Sequence, residues 1–256
     1  MPDLAMPVRQ ASQGGQSLDR LVFGTAQLTQ PYGVRADASH RDDAQALLEA
    51  ALACGLGMFD TAPGYGTAER ALGALLRRHP NLEVITKSAH LPTDRSPALK
   101  HAEIERSAER SLQALGLSRL PVFLLHSPEA FDAGVAAALD RLRADGRAAR
   151  VGVSVYTAED IERICAAWQP DVIQLPLNLF DQRLLHSGHI ARLRRMGCEI
   201  HVRSAFLQGV LLAPVDALPP WLAGMHDNLA RLDREAGPRS ADRAAACLGF
   251  LASLDI

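Results

Sequence analysis

The stretch GMFDTAPGYGTAERALGALLRRHPNLEVITK (57–87) contains one full unit of the fold. Its first four residues are a short apolar run closed by Asp60, which reads as a buried strand. From Thr67 to Arg78, Leu72, Leu75 and Leu76 recur at helical spacing. EVITK (83–87) is a second apolar run, closed by Lys87. Strand, helix and strand in so short a span make a βαβ unit, whose crossover renders the two strands parallel.

The alternation continues in both directions. Upstream lie LVFGTA (21–26) and a helical segment from Asp42 to Cys54, with Ser39 and Asp42 as a capping box and Gly55 as its stop. Downstream, Pro97 to Leu115 is a helix closed by Gly116, and VFLLH (122–126) is a strand. Gly134 to Asp145 is a helix closed by Gly146, and RVGVSV (150–155) is a strand. Thr157, with Asp160 three residues on, caps a helix through Trp168. VIQLPLN (172–178) is a strand, Ile190 to Met196 belongs to a helix stopped by Gly197, and EIHVRSAF (199–206) is the seventh strand. Near-continuous apolarity marks strands of a parallel sheet covered by helices.

Seven β-then-α units predict an α/β protein of the (β/α)8 TIM-barrel type. A doubly wound dinucleotide fold is the alternative, and it expects G-x-G-x-x-G after the first strand. Here that strand is followed by Thr25-Ala-Gln-Leu, and GYGTAERALG (64–73) has a different spacing. Beyond the seventh strand come Pro214, Pro219 and Pro220, then helical segments over Trp221–Glu235 and Ala241–Leu254. No eighth strand is recognisable, so the barrel is expected to be incomplete, with unpaired edges that offer a surface for a homo-oligomer. Residues 1–18, polar and rich in Gly, Gln and Ser, are expected to be a flexible tail ahead of a C-terminally truncated barrel domain over 19–256.

A chain of 256 residues that is 48% hydrophobic can bury one such domain. Its 27 Lys and Arg against 29 Asp and Glu give a formal charge of −2. With no basic run, the expectation is no nucleic acid and no membrane surface. Cys54, Cys165, Cys198 and Cys247 are scattered without a C-x-x-C pair, which fits a reducing compartment and no zinc. The first twenty residues lack the apolar core of a signal peptide, so a cytoplasmic protein acting on small molecules is expected.

Barrel enzymes carry their chemistry at the C-terminal ends of strands. Asp60 ends the second strand, Tyr65 follows it, Lys87 ends the third and His126 the fourth. A free phenol has a pKa of about 10, and a close ammonium lowers it by about one to three pH units. Lys87 can supply that charge, Asp60 can hold Lys87, and His126 can donate to a substrate oxygen or share the phenol's proton. Such a group can protonate a developing alkoxide.

FDTAPGYGTAERALG (59–73), ITK (85–87), LLHSP (124–128), VGVSVY (151–156), VIQLPLNLFDQRL (172–184) and HVRSAFLQG (201–209) together resemble the aldo-keto reductases, in order and spacing, from Leu21 to about Leu254. The resemblance implies Asp60, Tyr65, Lys87 and His126 as the catalytic set, and reduction of an aldehyde or ketone by NADPH, or alternatively NADH. It implies Gly24 and Thr25 beside the cofactor, Ser154 and Gln174 on its carboxamide, and Ser204 and Phe206 along the pyrophosphate. Arg203 stands where many members stack an aromatic residue on the nicotinamide, and Val155 where the family often has Asn. The Gly/Ser-rich segment that follows the family's last strand and holds the adenosine is not recognisable.

Other features have plainer readings. Asp181, His186 and His189 read as surface rather than metal ligands, and Trp168 with Ile161 and Ile164 as core. Arg141, Arg143, Arg147 and Arg150 read as a solvated face rather than a phosphate site. Two other functions compete with the reductase: a non-catalytic protein of the same fold (a cofactor sensor, regulatory subunit or pseudoenzyme), and a barrel isomerase or lyase acting on phosphorylated sugars.

Overall fold

In the computed structural model, which describes residues 20–31, 33–35 and 44–256, all seven expected strands form and each pairs in parallel with its successor. They are β1 (Val22–Gly24), β2 (Met58–Asp60), β3 (Glu83–Lys87), β4 (Leu120–Leu125), β5 (Ala148–Ser154), β6 (Val172–Pro176) and β7 (Glu199–Arg203). Between them run α1 (Ala44–Ala53), α2 (Ala68–Leu76), α3 (Pro97–Leu115), α4 (Ala133–Ala144), α5 (Ala158–Ala167), α6 (Arg183–His186) and α7 (His189–Arg195). The helices α8 (His226–Ala236) and α9 (Ser240–Ser253) follow β7. The expected tail and the Ser39–Asp42 cap lie outside the described residues. Among those residues, no helix is long and apolar enough to cross a membrane.

Strand alternation sorts side chains onto two faces. Phe59, Val84, Phe123, Leu125, Val151, Val153, Ile173 and Leu175 pack outward against the helices in the main core. Ile85, Val122, Leu124 and Val172, with Met58, fill the interior of the curled sheet. The sheet is thus an incomplete (β/α)8 barrel, open between β1 and β7. At that opening Val22 is 37% exposed, and it shares a lining with Ile85 and His201.

Local signals set the element ends. Ser96 accepts from Leu99 N, Pro97 opens α3, and Gly116 closes it in the left-handed region at φ 70°. Thr157 and Asp160 form the expected capping box of α5. Two boundaries differ from expectation by three residues or more. The seventh strand stops at Arg203 rather than Phe206, because Ser204 turns to φ 60° and leaves the ladder. The helix expected from Trp221 begins as a 3-10 turn over Pro220–Met225, after Pro219 and Pro220, and becomes α-helical only at His226.

Two sets of contacts span the opening, and a third ties strands together within the barrel. At the C-terminal rim, Gly33 sits so close to the chain after β7 that a Cβ there would lie 2.2 Å from the Gln208 carbonyl oxygen. At the opposite rim, Arg20 donates to the carbonyls of Leu254 (3.2 Å) and Ile256 (2.5 Å), and Arg194 pairs with Asp255. In the floor of the barrel, Arg150 binds Glu83 at 2.9 Å and also pairs with Glu199, whose other oxygen meets His201 at 2.7 Å. Arg150 therefore belongs to a strand-linking ion network rather than to a solvated face. Its place in β5 turns it away from the other three arginines.

Candidate active site

The end of β2 is held from both sides. Asp60's carbonyl accepts from the amide and the hydroxyl of Thr25, each at 2.9 Å, which ties β1 to β2. Its carboxylate receives Lys87 Nζ at 2.6 Å on one oxygen and Gln174 Nε2 at 2.8 Å on the other. Lys87 is 1% exposed and also donates to Thr61 O at 2.9 Å. Burial pulls its pKa below the usual lysine value, and Asp60 opposes that as the nearest anion.

Tyr65 is aimed by its loop. Ala62 O accepts from Tyr65 N at 3.0 Å, and Tyr65 O accepts from Ala68 N at 3.1 Å. Thr29, from the loop after β1, donates its hydroxyl to Tyr65 O at 2.8 Å and accepts from Thr67 N at 3.0 Å. Gly66, at φ 63°, leaves room for that hydroxyl, because a Cβ would lie 2.7 Å from Thr29 Oγ1. The first turn of α2 is fixed by a buried bond of 2.7 Å from Thr86 of β3 to Glu69. Lys87 Nζ consequently stands 5.1 Å from the centre of the Tyr65 ring.

His126 lies just past β4, its backbone N–H bound to Ser88 Oγ at 3.1 Å. Its ring meets Tyr65 edge-on, with centroids 6.0 Å apart and planes at 86°. Burial, then the charges of Lys87 and His90, push its pKa down to about 4, so at neutral pH the imidazole is uncharged. Its Nδ1 is buried without a partner among the described residues. A lone pair is cheaper to leave unmet than an N–H, so the proton belongs on Nε2.

A cavity of about 310 Å³ opens beside this cluster. Of the residues expected at the site, Asp60, Tyr65, Gly24, Gln174, Arg203, Ser204 and Phe206 line it. Lys87, Thr25 and Ser154, which are buried, and the half-buried His126 are not part of that lining. Arg203 is clamped in place. It donates to Ser154 Oγ (3.3 Å), Ser204 Oγ (3.3 Å) and Val155 O (3.0 Å), and its guanidinium lies 4.2 Å from the centre of the Tyr156 ring. The wall after β7 is left-handed at Ser204, Leu207, Gln208 and Gly209. Such a run in non-glycine residues is strained and typical of ligand-holding loops. The expected surface residues lie elsewhere: Asp181 binds Arg183, and His189 bonds with Ser187 and Glu162.

Sequence reading missed Thr29, Ser88, His90 and the bond from Gln174 to Asp60. Three of these residues act from loops, where no periodicity marks them. Gln174 did carry a signal, since a lone amide in the apolar run VIQLP needs a buried partner.

Comparison with known proteins identifies the family. The family model described as the Aldo/keto reductase family matches residues 20–227. The chain is 28% identical over 196 residues to a D-threo-aldose 1-dehydrogenase of a Pseudomonas species, covering 64% of this chain and 58% of that protein. It is 25% identical over 183 residues to an NADH-specific methylglyoxal reductase of Escherichia coli, covering 63% of this chain and 56% of that one. It is 27% identical over 255 residues to a 6-dehydroglucose reductase of Novosphingobium aromaticivorans, covering 90% and 80%. Among solved structures, an aldo-keto reductase of Bacillus halodurans in its holo form superposes with a TM-score of 0.69 at 20% identity, over 90% of this chain and 78% of that one. The glycerol dehydrogenase of Gluconobacter oxydans gives 0.66 at 22% identity, over 91% and 78%. With that family's model matching residues 20–227, most of the sequence, the chain belongs to the aldo/keto reductase family.

Proposed function

We propose that this protein is an NADPH-dependent oxidoreductase that reduces an aldehyde or ketone to an alcohol, with Tyr65 as general acid. The observation that carries the reading is the buried Lys87 ammonium, 2.6 Å from Asp60 and 5.1 Å from the Tyr65 ring, beside a neutral His126. The cavity suits a nicotinamide cofactor. It is at the small end of the roughly 300–1,000 Å³ of ligand sites, and Gly24 faces it with no heavy atom near its missing Cβ. Gly24, Gln174, Arg203, Ser204 and Phe206 would hold the cofactor, with Thr25 and Ser154 bracing them. When bound, the reduced cofactor supplies a hydride to the carbonyl carbon.

The chain's own residues do the rest. Tyr65 delivers its phenolic proton to the carbonyl oxygen as the C=O electron pair becomes an alkoxide. Lys87 stabilises the negative charge left on the phenol oxygen, and Asp60 keeps the ammonium charged and aimed at that oxygen. His126 donates from Nε2 to the same substrate oxygen and so helps orient the carbonyl.

The test is NADPH and NADH oxidation with a panel of small aldehydes and ketones. The Tyr65→Phe variant is expected to lose more than about 100-fold in kcat, the scale of a missing general acid, while still binding cofactor. A fully active Tyr65→Phe protein overturns the mechanism.

A second reading, a non-catalytic protein of the same fold, is favoured by one observation. Gln174 and Ser154, the expected carboxamide contacts, are already bonded to Asp60 and Arg203. It predicts no turnover of any carbonyl, and an absence of thermal stabilisation at millimolar NADPH or NADH favours it over the reductase.

A further inference from the structure

The loop after β3 places a second histidine against the first. His90 stacks on His126 with ring centroids 4.4 Å apart and planes 24° from parallel. Its Nδ1 is 2.7 Å from the hydroxyl of Ser127, itself 4% exposed. The loop that carries it is sewn to the end of β4 on both sides of the chain. Ser88 N donates to Leu124 O at 2.8 Å, and Ser88 Oγ accepts from His126 N at 3.1 Å. Ala89 N then donates to the buried Ser107 Oγ of α3 at 2.8 Å. Four contacts in succession thus leave the His90 ring little freedom except to lie flat on His126.

This stack answers a need. The Nδ1 of His126 is buried and has no hydrogen-bond partner among the described residues, so no bond there sets the ring's rotation. A histidine that must offer one nitrogen in a fixed direction is ordinarily oriented by a bond at the other. Here ring contacts take the place of that bond: His90 lies flat on the imidazole, and Tyr65 meets it at a near right angle.

We propose that His90 is a positioning residue, which through its bond to Ser127 and its stack on His126 fixes the plane in which His126 presents Nε2–H to the substrate oxygen. The proposal rests on the reading of His126 as a donor to that oxygen. The titratable groups facing His126 are Lys87 at the end of β3, Asp60 at the end of β2, Tyr65 in the loop after β2, and His90. Of these, Lys87 and His90 disfavour the charged imidazole and Asp60 favours it. Removing the His90 ring takes away one disfavouring charge and opens the His126 face to water. Both changes raise its pKa from about 4.

The test combines nitrogen NMR of the imidazoles with steady-state kinetics, on the wild type and on His90→Ala, His90→Phe and Ser127→Ala. In the wild type, His126 is expected as a single Nε2–H tautomer titrating at about 4. In His90→Ala, the tautomers mix, the titration moves up, and kcat falls about 10–100-fold with little change in the KM for NADPH, as for a slightly misaimed group. The flat ring of His90→Phe restores the tautomer and most of kcat. Ser127→Ala keeps both rings and shifts both readouts in the same direction by less. A His90→Ala protein with wild-type tautomer, titration and kcat overturns the proposal. A wild type that reduces no carbonyl, yet whose His126 signals change in His90→Ala, keeps the positioning and overturns the reductase reading.

Discussion

Asp60 is the residue on which the site converges, because its backbone is anchored by Thr25 and each carboxylate oxygen has its own donor. Lys87 is buried, so that carboxylate is its essential counter-charge. Asp60→Asn leaves the ammonium without an anion and is expected to cost about 3–5 kcal/mol, the scale for removing one partner of a buried pair. Urea unfolding at neutral pH measures it. A loss of no more than a few tenths would mean that Lys87 sheds its proton at little cost and is not an ammonium in the native protein. Asp60, Lys87 and His126 were legible in the sequence because each closes an apolar strand, where a polar side chain has no packing reason to be. Thr29 and His90 were not. Each reaches its partner from a loop, across 36 residues in the case of Thr29 and Tyr65, and loop geometry is set by tertiary contacts that no local pattern encodes.

At the scale of elements, α2 and α3 meet at a glycine. A Cβ on Gly73 would lie 2.4 Å from Ala114 O and 3.1 Å from Leu115 Cα, all backbone, so the helices would have to part. Gly73→Ala is expected to destabilise by about 1–3 kcal/mol through overpacking. Gly249, inside α9, has no heavy atom within 4 Å of that position, and Gly249→Ala is expected to stabilise by about 0.5–1 kcal/mol through helix propensity. Opposite signs for one chemical change, read as shifts of the urea midpoint, test whether α2 is held by close backbone approach. Two changes of the same sign would deny it. Helix ends were legible where the signals are local, as at Pro97, Thr157 and Gly116. The end of β7 was not, because no glycine or proline in VRSAF marks the bend that the left-handed Ser204 imposes.

For the whole molecule, the question is how a sheet open between β1 and β7 keeps its curl. The contacts at the two rims act from the loops and from the chain's last helix. As Lys87–Asp60–Gln174 ties β2, β3 and β6 together at one end of the barrel, the Glu83–Arg150–Glu199–His201 network ties β3, β5 and β7 together at the other. Its strength depends on pH in a defined direction. The bond from His201, together with Arg150, holds the Glu199 carboxyl at about 2, against an ordinary 4.5. A carboxylate whose folded pKa is lowered adds stability that is present in full above 4.5 and disappears as pH falls through about 2. Glu199→Gln removes that contribution at every pH. The variant should therefore be less stable than the wild type at pH 7 and at pH 5, and the gap should narrow below about 4 and close near 2. Guanidinium is unsuitable for the measurement, because its ionic strength screens the network, so urea midpoints across that range are the readout. A gap that stays constant with pH would show that Glu199 acts by packing or neutral hydrogen bonding, and that the charge of this network does not hold the curl of the open barrel.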